Sequence, residues 1–136
     1  MSVISVRTAL ETKLATVTFT GGKTVYENVS YTPVAGTPFA QCYVMFATPD
    51  NPTMGDGFHR ILGIFQVSLF YPLNTGPSAA ATQAELIKTA FKRSTTLTSG
   101  TVTVKIDRTP EISAGRVDGD RFHVPVKIPF YADIYT

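Results

Sequence analysis

The sequence predicts an α+β fold: one domain over residues 1–136, a mostly antiparallel or mixed β-sheet, and two main helices packed on one face of it. Three observations carry this. Two segments repeat apolar residues at helical spacing, the C-terminal part alternates apolar and polar residues with period two, and the elements run helix, strands, helix, strands. Helices gathered on one face of an antiparallel sheet satisfy that order. With 136 residues, 43% of them apolar, the chain can bury roughly 70% of the surface its unfolded form exposes.

The first helix is read from Val3, Val6, Leu10, Leu14 and Val17, which fall on one stripe. Ser2 can cap it by accepting from a first-turn N–H, and the β-branched and aromatic run Thr16–Thr20 before Gly21 should end it near Thr16. Two short extended stretches follow, around Thr24–Asn28 and Phe39–Thr48. Pro33 and Pro38 bracket an irregular loop between them. After the Pro49–Gly57 loop comes the longest strand signal, Arg60 to Tyr71. Both of its faces are apolar at the Ile61–Phe65 end, which predicts a central strand covered on two sides there.

Pro72–Pro77 breaks this strand. Ser78 then caps a second helix, predicted from Ala79 to about Arg93, with Ala80, Ala84, Ile87 and Phe91 on its inner face and Lys88, Lys92 and Arg93 near the negative end of its dipole. Two strands of strict alternation close the chain: Thr101–Asp107 and Arg121–Tyr131. Pro125 and Pro129 lie on the polar face of the last strand. Because proline cannot donate to a ladder, one side of that strand is expected to be an edge or bulged.

Composition excludes several classes. The apolar fraction and the formal charge of +2 argue against disorder, and no stretch approaches the roughly 20 apolar residues that span a bilayer. Arg7, Glu11 and Lys13 interrupt what would be the apolar core of a secretory signal, so folding in a cytoplasm is expected. The single Cys42 cannot form an internal disulfide and reads as a small buried hydrophobe. Twelve basic against ten acidic residues make a weak footprint for a dedicated nucleic-acid binder.

Candidate chemistry is sparse. With only His59 and His123 present, the suggestive cluster is Asp56-Gly57-Phe58-His59-Arg60, where Asp56 and His59 could act as an acid–base pair and Arg60 could hold an anion. The plainer reading makes Asp56-Gly57 a turn and His59 a half-exposed residue opening a strand. Asp118-Gly119-Asp120 lacks the spaced oxygen ligands of a calcium loop and reads as a hairpin tip. Two basic groups, Lys88/Lys92/Arg93 and Arg108/Arg116/Arg121, are either solvated faces or surfaces meeting acidic protein or DNA. The Pro49–Gly57 and Thr109–Asp120 loops are long for so small a domain, and with no catalytic kit they point to contact with another chain.

The motifs then follow a recognisable order: Arg7–Leu14 in the first helix, Tyr26-Glu-Asn-Val29, Thr32-Pro33 with Gly36-Thr37-Pro38-Phe39, Gly55-Asp-Gly57 before Arg60, Gly63, Phe65 and Val67, and Tyr71-Pro72 before the alanine-rich helix ending in Phe91. They close with Asp118-Gly119-Asp120-Arg-Phe122, Val124-Pro125-Val126 and Ile128-Pro129-Phe130. In order and spacing, over nearly the whole chain, this resembles the tail terminator, or tail completion, proteins of long-tailed bacteriophages. The resemblance implies a structural virion protein of the tail and neck, without enzymatic activity, cofactor or metal. It implies a ring of six copies on the last ring of the tail tube, ending tube polymerisation and joining the tail to the head-tail connector or stopper protein. It further implies phage DNA passing through the lumen without sequence-specific binding, assembly in the host cytoplasm, and no membrane.

On that resemblance the contacts between subunits or stacked rings are expected at Asp50, Asp56, Phe58, His59 and Arg60, and at Arg108, Glu111, Arg116, Asp118 and Arg121. Arg60 is the first choice, because an arginine at a loop–strand junction can grip a neighbour's carboxylate with two hydrogen bonds; an ion pair within its own chain is the alternative. A near-neutral charge suits copies packed side by side. Alternatives stay open: another neck component such as a head-tail stopper or adaptor, a small enzyme using Asp56 and His59, or a monomeric binding module.

Overall fold

The computed structural model describes residues 2–17, 19, 22–26, 32, 36–48, 58–73, 78–119 and 121–135. Its elements are α1 (Ser2–Ala15), β1 (Lys23–Val25), β2 (Phe39–Phe46), β3 (Phe58–Pro72), α2 (Ser78–Ala90), β4 (Thr96–Ser99), β5 (Val102–Ile106), β6 (Glu111–Ile112), β7 (Arg116–Asp118) and β8 (Arg121–Tyr135). The fold is α+β. Among the described residues the strands form one sheet in the order β1-β2-β3-β8-β5-β4, with β6 and β7 also paired to β8. It is a mixed sheet, because β1 runs parallel to β2 while the other pairs are antiparallel.

The spine is the ladder between β3 and β8, fifteen residues in each strand, from Phe58↔Tyr135 to Pro72↔Arg121. Period-two alternation puts Phe65, Val67 and Leu69 of β3 on the same face as Val126, Ile128 and Phe130 of β8, all essentially inaccessible to water. Onto that face pack Val6, Leu10 and Leu14 of α1 and Ala80, Ala84 and Ile87 of α2. α1 lies over β4 and β5, and α2 over β3, β6 and β8. Small alanines let the α2 backbone come close to the sheet, and Phe91 beyond its end fills the remaining depth against Phe65, with ring centroids 5.8 Å apart. Burying each such aromatic or leucine contributes about 1.5–3 kcal/mol.

Local stops follow the sequence. α1 ends where expected, the Thr16 hydroxyl donating to the Lys13 carbonyl at 2.6 Å. Gly63 of β3 sits between β2 and β8 with no room for a side chain: a Cβ there would lie 2.5 Å from the Met45 carbonyl oxygen and 2.9 Å from Cζ of Phe130. Gly100 and Gly119 take left-handed backbone, φ 60° and 62°, in the β4–β5 and β7–β8 turns. The second of these makes Asp118-Gly119 part of a hairpin tip, as its sequence suggested.

Several expectations are corrected. α2 ends at Ala90 rather than near Arg93, because Ser94 is left-handed (φ 72°) and the Ser94 N–H donates to the Ile106 carbonyl, turning the chain into β4. The stretch expected as a loop over Thr109–Asp120 contains β6 and β7, both paired to β8. β3 is central, but at Ile61–Phe65 only Ile61 and Phe65 are buried; Leu62 and Ile64 on the opposite face are partly exposed.

The last strand is not an edge. Pro125 and Pro129 direct their carbonyls, and their missing donors, toward the flank that β5, β6 and β7 share. Ser113 donates to the Pro125 carbonyl and Asp107 to the Pro129 carbonyl, each at 3.0 Å and each just past the end of a short strand. The missing donors therefore fall at the breaks between those strands, where no ladder bond is lost.

Candidate functional site

The face of the sheet turned away from the helices carries the polar half of the alternation. It is not uniformly wet. At its β2/β3 side Phe39 stacks on Phe70 at 4.9 Å, and Phe70 stacks on His123 at 4.6 Å with the planes 5° apart. The Arg121 guanidinium lies 5.1 Å over Phe39 and donates to the Thr37 carbonyl, tying the approach to β2 onto the start of β8. At mid-sheet Gln66 is buried and its Nε2 donates to the Tyr43 hydroxyl at 2.7 Å and to the Ser68 hydroxyl at 3.0 Å. These partners satisfy polar groups that would otherwise be costly to bury.

At the far end Arg60 and Asp133 form a two-point pair, and the guanidinium lies 4.4 Å from the centroid of the Tyr131 ring. Tyr131 and Asp133 also line a shallow cleft of about 280 Å³ with Thr101, Thr103 and Lys105. A second, more open cleft of about 480 Å³ is lined by Arg93, Asp107, Arg108 and Thr109. Among the described residues no cluster of His, Cys, Asp or Glu could hold a metal ion. Among these residues no helix is long and apolar enough to cross a membrane.

Of the expected contact residues, those on β3 and those on β7 and the start of β8 lie at opposite ends of the β3–β8 ladder, while Glu111 of β6 lies beside its middle. Phe58, His59 and Arg60 pair with Tyr135, Ile134 and Asp133, whereas Arg116 and Asp118 of β7 pair with His123 and Arg121. Twelve ladder positions separate Arg60 from Pro72, the partner of Arg121, which is roughly 40 Å at strand rise. His59 is partly exposed, as the plainer reading held. Glu111 is exposed opposite Lys127, with Ser113 donating to it at 3.5 Å, and Arg108 and Arg116 are exposed. Arg121 is buried and engaged within the chain. Asp50 and Asp56 lie outside the described residues, as do the side chains of Phe58 and Asp118.

Sequence reasoning missed Asp133 and Tyr131 as the partners of Arg60, and Gln66 with Ser68 and Tyr43 as a buried polar group. A signal for the first existed: the alternation of the last strand continues through Ala132 and Ile134, which leaves Asp133 on the face of Arg60.

Residues 5–130 match the sequence family described as phage tail terminator protein. The chain belongs to that family. Its members are structural tail proteins, so a tail-completion role and a place among the components of the virion tail follow for this chain. One solved structure, of a protein carrying no functional name, matches with a TM-score of 0.79 at 24% identity, over 100% of this chain and 99% of the other. That likeness supports the terminator chain's fold. No curated protein sequence matches it.

Proposed function

We propose that six copies of the chain form a ring on the last ring of the tail tube, stop its growth and present the opposite side to the head-side connector or stopper. The family match over residues 5–130 carries this reading. Two features of the molecule favour it. The sheet face away from the helices exposes Met45 and leaves Leu62 and Ile64 partly uncovered, apolar surface that a neighbouring subunit can bury. Arg60 and Arg116 stand near opposite ends of a long ladder, and a subunit held between tube and connector needs two separated contact regions. A closed ring uses one heterologous interface repeated around an axis. Phage DNA passes through its lumen without sequence-specific contact, and assembly takes place in the host cytoplasm. Polymerising tail tube protein with and without the purified chain tests the capping role. Tubes of restricted length bearing the chain at one end are expected; unrestricted tubes that never bind it would contradict the proposal.

A further inference from the structure

We propose that the cleft between Arg93 and Arg108 holds Glu85 of a second copy of this chain, an interaction that rests on the ring reading above. The sequence separates these arginines into two basic groups; the fold joins them. Arg93 follows α2 and Arg108 follows β5, and the segments are clamped together by Ser94 N–H to the Ile106 carbonyl and Ile106 N–H to the Thr95 carbonyl, each 3.0 Å. Asp107 N–H to the Pro129 carbonyl, also 3.0 Å, fixes the opposite wall to the central strand. Both arginines thus stand on segments hydrogen-bonded to each other and line one open cleft with Asp107 and Thr109. Among the described residues neither arginine has an ion-pair partner in its own chain.

Charge selects the occupant. Two arginines against one aspartate leave the cleft at +1, which one carboxylate neutralises. Duplex DNA carries a charge about every 1.7 Å and calls for a row of cations, which this cleft does not offer. Among carboxylates whose side chains are described, Glu11 pairs with Arg7, Asp133 with Arg60, Asp107 already lines the cleft, and Glu111 accepts from Ser113. Glu85 is exposed on α2 with no such partner, and Leu86 beside it is 45% exposed. An arginine fork gripping a carboxylate next to an apolar side chain that becomes buried is the composition of a strong interface contact. Because donor and acceptor are different residues, each copy can give one such contact and receive another, which lets the contact repeat around a ring.

Charge exchange tests this, with assembly of the full chain read by light scattering across concentration and folding checked by thermal unfolding. Arg93→Glu with Arg108→Glu, and separately Glu85→Arg, should raise the concentration needed for assembly at least tenfold while leaving the unfolding midpoint in place. Combining Arg108→Glu with Glu85→Arg should restore assembly. Variants that assemble like the wild type, or a combined exchange that restores nothing, overturn the pairing while the ring stands. So does a DNA duplex retained by the wild type and lost with the two arginines while assembly is untouched. A wild type that stays monomeric at every concentration, with or without tail tube protein, sinks the ring reading and the pairing with it.

Discussion

Arg60 and Asp133 face each other across β3 and β8 as a two-point pair, Nε to Oδ1 at 2.7 Å and Nη2 to Oδ2 at 3.2 Å. Their cross-strand register fixes the geometry, and Tyr131 two residues earlier supplies a ring against which the guanidinium lies. The side chains are 39% and 28% exposed, so water screens the pair and its coupling should be about 1 kcal/mol. A double-mutant cycle with Arg60→Ala and Asp133→Ala in urea unfolding measures it. Arg60→Lys should lose most of the coupling, since an ammonium can neither fork onto the carboxylate nor lie flat on Tyr131. Full retention by lysine would reduce the pair to a simple charge contact.

Gly63 leaves no room for a side chain. The added methyl of Gly63→Ala would overlap the Met45 carbonyl and the Phe130 ring, and relieving that would strain the β2–β3 ladder or push Phe130 within the core. A loss of about 1–3 kcal/mol in unfolding free energy is expected. An unchanged urea midpoint would mean that the strands separate there at no cost.

Tyr71, buried and stacked against Phe19 with centroids 6.1 Å apart, has its hydroxyl pKa raised by burial. The unfolded chain therefore releases this proton first as pH climbs past about 10. Stability held below that pH is lost as pH rises through the folded value. Thermal midpoints of the wild type should fall on that alkaline limb, and Tyr71→Phe should make the fall shallower. Tyr26, shifted the same way by burial and then by Cys42 and Glu11, leaves a residual slope. Superimposable curves for wild type and variant would contradict the assignment.

Phe65 lies at the centre of the core with no exposed surface, against Phe91. Phe65→Ala should cost about 3–5 kcal/mol, removing transfer energy and leaving a cavity between the sheet and the segment after α2. A loss below about 1 kcal/mol in chemical denaturation would show that the helices collapse into the space.

What was legible in the sequence is what periodicity encodes. α1, the extent of β3 and the alternation of β8 follow directly from spacing, because one buried face imposes 3.6 or 2.0 on the apolar positions. Pairing is not encoded that way. The short strands β6 and β7 carry too few residues for a pattern, and they exist because β8 offers them a ladder. β4 had a readable turn, Ser99-Gly100-Thr101, but its Thr96-Leu97-Thr98 core resembles any polar linker. The two prolines misled because a missing donor was read as an open side, whereas it marks a junction between neighbours. At the candidate surface, Arg60 could be singled out by position, while its partner Asp133 lies 73 residues away and only the β3–β8 register joins them.

Native mass spectrometry of the purified chain, alone and mixed with tail tube protein, reads its assembly. A species of six subunits, each 14.7 kDa, is expected in solution or at the tube end. A chain that remains at 14.7 kDa at every concentration and never associates with the tube would contradict it.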